Sequence, residues 1–191
     1  MDPVDLAVRI ADVFERLHIP YVLGGSLASS LLGEPRSTND VDLAVALLVQ
    51  PINELVQTLA GEFYIEESSV REAVRHRTSF NVIHLGSMLK ADIFVLGDKL
   101  LDRRQIERRR RVVVVEEPLA TLWVTSAEDQ VLRKLCWFRD GGEVSDRQWR
   151  DIVGLLAVQV DQLDRHDLDE VSKTLGVNDL LARAWDEVAA F

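Results

Sequence analysis

Tyr21-Val22-Leu23-Gly24-Gly25-Ser26, followed after a short helix and a loop by Arg36-Ser37-Thr38-Asn39-Asp40-Val41-Asp42-Leu43, is the stretch that decides the fold. Tyr21-Val22-Leu23 reads as a short buried strand, and Gly24-Gly25-Ser26 turns it into a helix over residues 27–32 that Gly33 and Pro35 close. Residues 41–48 are almost continuously apolar after Asp42 and read as a second strand. Side chains alternate along a strand, so Asp40 and Asp42 would share one face, about 7 Å apart. Two carboxylates held so close repel each other unless a cation lies between them. Hard divalent ions, Mg²⁺ or Mn²⁺, prefer such oxygen ligands. A glycine pair at a helix N-terminus lets phosphate oxygens approach backbone N–H groups at the positive end of the helix dipole. Gly24, Gly25 and Ser26 are therefore candidate phosphate ligands, with Arg36, Ser37 and Thr38 as further donors from the loop.

Outward from this stretch, Pro3 suits a first helical turn, and Leu6, Ile10, Val13, Phe14 and Leu17 follow on one helical face until Ile19-Pro20. Pro51 opens a helix through about residue 60, and Phe63-Tyr64-Ile65 is a strand candidate. Residues 79–85 and 91–96 read as two strands joined by the turn at Gly86-Ser87. A helix over about 98–108 and a strand over 112–115 come next. After Pro118 the pattern changes to helices, the first capped by Ser126 with Asp129 three positions on, and the others covering about 146–160, 167–175 and 178–189. The expected architecture is a mixed α/β core over residues 1–118, a mixed sheet flanked by helices, with a C-terminal helical subdomain over 119–191. Asp92 is the single acid within the apolar run Ala91-Asp92-Ile93-Phe94-Val95. A lone carboxylate there is costly unless it is paired or metal-bound. If its strand lies beside that of Asp40 and Asp42, three carboxylates converge as in a two-metal phosphoryl-transfer site. The alternative is a structural acid paired with Arg36 or Lys90.

Composition bounds the rest. The chain has 191 residues and is 47% hydrophobic and 28% charged, an ordinary globular balance. No apolar run is long enough for a membrane span, and the N-terminus lacks the features of a signal peptide, so a cytoplasmic protein is expected. Cys136 stands alone and reads as core packing. The net charge of −10 argues against broad, non-specific nucleic-acid binding. It is uneven: residues 61–139 hold 12 acids and 14 bases, while both flanks are acidic. The run from Arg103 to Arg111 is either a solvated face or a contact for RNA or for the acid-rich tail. His18, His76, His84 and His166 have no zinc-like spacing. Trp123, Trp137, Trp149 and Trp185 read as anchors in or near the helical part.

Taken together, Gly24-Gly25-Ser26, the Arg36-to-Leu43 stretch and the lone strand Asp92 resemble the DNA polymerase β-type nucleotidyltransferase superfamily. Arg77-Thr78-Ser79-Phe80-Asn81-Val82-Ile83, and Ser126-Ala127-Glu128-Asp129 through Lys134-Leu135, are similar to small bacterial members, including the AbiEii-like group of type IV toxin–antitoxin systems. The resemblance implies metal-dependent transfer of a nucleoside monophosphate from an NTP to an acceptor hydroxyl. Asp40 and Asp42 would bridge the metals and Asp92 would serve the acceptor side. Gly25 and Ser26 would hold the triphosphate, and Lys134 matches a helical lysine near the phosphates. The acceptor (RNA, protein or a small molecule) is left open, as is a protein partner. A rival expectation is a non-catalytic, antitoxin-like module that binds nucleotide or a partner through the same fold.

Overall fold

A computed structural model describes residues 1–190. The chain separates into two compact units, Met1–Leu27 with Thr38–Thr125, and Ala28–Ser37 with the chain from Ser126 onward.

The first unit is a mixed α/β structure. Its helix α1 (Pro3–Arg16) opens on a capping box in which the Asp5 N–H donates to Asp2 and the Asp2 N–H to Asp5. Leu6, Ile10, Val13 and Phe14 line its buried face, as the spacing predicts. Then come β1 (Tyr21–Leu23), α2 (Gly25–Leu32), β2 (Val41–Val45), α3 (Ile52–Leu59), β3 (Phe63–Tyr64) and α4 (Glu67–His76). The series ends with β4 (Ser79–His84), β5 (Lys90–Val95), α5 (Leu100–Glu107), β6 (Arg110–Val115) and β7 (Ala120–Val124). The strands form one seven-stranded sheet in the order β3-β4-β5-β2-β1-β7-β6. β2 runs parallel to β5 and antiparallel to β1, and β4 is antiparallel to β5. One face is core: Val41, Leu43 and Val45 of β2, Ala91, Ile93 and Val95 of β5, and Phe80 and Val82 of β4 are buried. The alternate residues, Asp42, Asp92 and Asn81 among them, face the other way.

Three local differences from the sequence reading have physical causes. β2 stops at Val45 rather than at residue 48, because both neighbours run out there: Tyr21 opens β1 opposite Val45, and Val95 closes β5 opposite it. Leu48 and Val49 consequently stand exposed. Helix α4 was unforeseen, since its apolar face is only Val70, Ala73 and Val74 within a polar segment. The helical reading after Pro118 is corrected at residues 120–124, which form β7. Thr121, Trp123 and Val124 are good strand formers, and β7 pairs antiparallel with β6 and parallel with β1. Trp123 is thus a strand residue.

The second unit is helical: the end of α2, then α6 (Ala127–Asp140), α7 (Asp146–Val158), α8 (Arg165–Leu175) and α9 (Asn178–Ala189). The Ser126 hydroxyl caps α6 by accepting the Asp129 N–H at 3.1 Å. Ser145 and Asp164 cap α7 and α8 in the same way. Leu132, Leu135, Phe138, Ile152, Leu156, Leu168 and Leu181 are buried, and the Phe138 and Trp149 rings lie 5.1 Å apart. The residues of α2 join this unit through the Gln130 amide donating to the Ser29 hydroxyl and the Gln159 amide donating to the Leu32 carbonyl.

Candidate active site

Pairing of β2 with β5 places Asp42 directly opposite Asp92, and pairing of β5 with β4 places Asn81 opposite Asp92 in turn. Residues opposite one another on neighbouring strands have Cβ atoms about 5 Å apart on the same face. Asn81, Asp92 and Asp42 therefore make one row across three strands, on the face that the core does not use. This is the adjacency of strands on which convergence of the carboxylates depended; it brings Asp42 and Asp92 together, whereas Asp40, ahead of the start of β2, does not join them in a three-acid cluster. At the end of the row the Gly24 N–H donates to the Asp42 carbonyl at 2.9 Å, which ties the glycine turn to β2. The amide of Gly24 thus serves the sheet, and Gly25 and Ser26 open α2 directly after it. Gly25 has φ +59°, and a Cβ placed on it would fall on the Asp42 side chain, 2.7 Å from its Cβ and still closer to its carboxylate. Only glycine permits this approach of helix N-terminus to carboxylate.

Asp40 lies one residue before β2 and is exposed, and its N–H donates to the Thr38 hydroxyl at 3.2 Å. Thr38 thereby shapes the loop that delivers the two acids. Asp92 accepts an ion pair from Lys90 at 3.0 Å, with the Lys90 side chain half exposed. The structural pairing weighed for Asp92 thus exists, with Lys90. Among the described residues no group of three or more His, Cys, Asp or Glu side chains is gathered closely enough to hold a metal ion. What the first unit supplies is a pair of in-register carboxylates, a hard-oxygen donor set that suits Mg²⁺ or Mn²⁺ in sites where one or two carboxylates act together with substrate phosphates.

Arg36 and Lys134 both belong to the second unit, and there both bind Asp151, a residue that sequence reasoning passed over. Arg36 grips its carboxylate with two hydrogen bonds, at 2.8 and 2.9 Å, and Lys134 reaches it at 2.7 Å with only 4% of its side chain exposed. Ser30 holds the Arg36 backbone at both its N–H and its carbonyl. The one available signal was an acid spaced within α7 among Ile152, Leu155 and Leu156. Burial alone would raise the Asp151 pKa, but the hydrogen bonds from Arg36 and Lys134 outweigh it and hold the group below its ordinary value of 3.8. A depressed carboxylate stabilises the fold above that value, and the contribution fades as pH falls below it towards the folded-state pKa. Asp151→Ala should therefore destabilise the second unit by about 3 kcal/mol at neutral pH, because the buried Lys134 ammonium and the Arg36 guanidinium lose the carboxylate they share. In urea melts the gap between wild type and variant should narrow once the pH drops below 3.8. A variant as stable as wild type at pH 7 would show that the cluster carries no stability.

The arginine run is not uniformly solvated. Arg111 pairs with Glu15 at 2.6 Å, and the Arg109 and Arg111 guanidinium groups lie 4.8 and 5.0 Å from the centre of the Trp123 ring. Arg103 is exposed. No helix among the described residues is long and apolar enough to cross a membrane.

The sequence matches no protein-family model and no curated protein. Solved structures do match. An antigenic nucleotidyltransferase-like protein from Paracoccidioides brasiliensis superposes with a TM-score of 0.58 at 15% identity, covering 96% of this chain and 91% of that one. The fold is the nucleotidyltransferase fold. The antibiotic-resistance factor ANT(2'')-Ia shares it with a TM-score of 0.51 at 15% identity, over 100% of this chain and 97% of its own. The lincosamide antibiotic adenylyltransferase LnuA, in its lincomycin-bound form, shares it with a TM-score of 0.50 at 16% identity, over 78% of this chain and 94% of its own. At these identities the likeness concerns the nucleotidyltransferase fold itself. The mixed sheet expected from the glycine turn and the carboxylate strand is the sheet observed.

Proposed function

We propose that the protein transfers a nucleoside monophosphate from an NTP to a hydroxyl group, releasing pyrophosphate. The reading rests on one observation: Asp42 and Asp92 stand in register on adjacent parallel strands, with the glycine turn closed down on Asp42. Asp42 and Asp92 would hold divalent metal together with the triphosphate, and the exposed Asp40 is proposed to swing in as a third ligand when the ion binds. Bound there, the ion would neutralise charge that builds on the phosphates. The start of α2 would take the triphosphate through the Gly25 and Ser26 N–H groups and the Ser26 hydroxyl. In the reaction the acceptor oxygen bonds to the α-phosphorus as the bond to the bridging oxygen breaks. Asp92 takes the acceptor's proton, and pyrophosphate departs.

LnuA is a lincosamide antibiotic adenylyltransferase and ANT(2'')-Ia an antibiotic-resistance factor. A small hydroxylated molecule is therefore the acceptor class to test first, ahead of RNA or a protein partner of the toxin–antitoxin kind. The ion pairs that engage Asp92 and Arg36 favour a second reading, a non-catalytic module that binds nucleotide or a partner. Thermal melting with each NTP, with and without Mg²⁺, separates the two. A metal-dependent rise of several degrees at millimolar nucleotide supports the enzyme, and no rise with any NTP sinks it. Incubation with labelled NTP and pools of small hydroxylated compounds, RNA or cell protein then names the acceptor.

A further inference from the structure

Lys90 occupies the position from which a cation would reach Asp92. It lies two residues before Asp92 on β5 and so projects from the same face of the sheet. Its ammonium is 3.0 Å from the Asp92 carboxylate, and half of its side chain remains in solvent. Asp42 stands beside Asp92 by strand register, so the row carries two carboxylates and one built-in cation. An ammonium on a long, flexible stem can swing away at little cost, unlike a guanidinium fixed in a fork. We infer that Lys90 is an internal counter-ion of the carboxylate row, which a divalent cation must displace from Asp92, so that Lys90 sets the metal affinity of the site. The inference rests on the proposed metal-binding role of Asp42 and Asp92. Lys90 is thus a positioning residue: it acts on the metal through Asp92.

Its consequences differ from those of a structural ion pair. Removing the ammonium should leave the fold intact, since exposed pairs contribute little stability. It should tighten divalent-ion binding, because a competing positive charge is lost beside the entering one. The effect should weaken with salt, as interactions at a solvated site do.

The direct test is equilibrium binding of Mn²⁺, followed by its electron paramagnetic resonance signal, to the full-length protein in the presence of a non-hydrolysable ATP analogue. Lys90→Met, which keeps the stem and removes the charge, is expected to bind Mn²⁺ about three- to tenfold more tightly than wild type. Lys90→Arg should stay near wild type. In an Asp92→Asn background the Lys90→Met gain should disappear, and in about 0.5 M KCl it should shrink. Equal or weaker Mn²⁺ binding by a folded Lys90→Met variant overturns the inference while leaving the metal site in place. Absence of Mn²⁺ binding by wild type and variant alike overturns the proposed function itself, and the inference with it.

Discussion

Gly25→Val is expected to abolish metal-dependent NTP binding, with any transfer activity falling at least about a thousandfold. The reason is steric. A Cβ on residue 25 would fall on the Asp42 side chain, so the carboxylate must rotate away and β2 must yield as well. The backbone there has φ +59°, which costs a side-chain-bearing residue about 1–2 kcal/mol before any contact is counted. The variant should accordingly melt lower by about 1–3 kcal/mol yet remain folded. Gly176→Ala is the control, because Gly176 also has a positive φ (+69°) and nothing stands near its Cβ position. It should lose stability and keep nucleotide binding. If Gly25→Val bound Mg²⁺–NTP like wild type, the glycine turn would be a turn and nothing more.

Replacing Asp40 and Asp42 by Asn should have a comparably large effect on function and the opposite effect on the metal-free fold. These acids are exposed or half-buried, and Asp42 stands beside Asp92, so neutralising them relieves repulsion. The variant without metal should be as stable as wild type or more so. Mg²⁺-dependent stabilisation by NTP should vanish, and transfer should fall by about a thousandfold or more. Asp92→Asn should divide the two properties, sparing much of the nucleotide binding while abolishing transfer, since its proposed work is on the acceptor. Thermal melts with and without Mg²⁺–NTP, read beside single-turnover transfer, distinguish these patterns. A double Asn variant that unfolds, or one that keeps metal-dependent nucleotide binding, would make these acids structural.

By itself the sequence determined whatever depends on near neighbours along the chain. The apolar spacing of Leu6, Ile10, Val13 and Phe14, the Ser126 cap and the Phe80-to-Val95 hairpin were legible because capping, periodicity and turn chemistry act within a few residues. The strand–glycine–helix–strand order around Gly25 was legible for the same reason. Tertiary structure alone decided which strands lie side by side. Nothing local dictates that Asp42 faces Asp92 rather than a neighbour one residue away; collective burial of Val41, Leu43, Ala91 and Ile93 sets that register. The end of β2 at Val45 was settled by where its partners end, and the strand at 120–124 by an open edge beside β1. Asp151 was an unremarkable charge in the sequence, and Lys90 only one of two cations weighed as a partner for Asp92. They acquired partners only when folding set Lys90 beside Asp92 at the carboxylate row and buried Asp151 between Arg36 and Lys134, because an ion pair is specified by distance in space, which the order of residues does not encode.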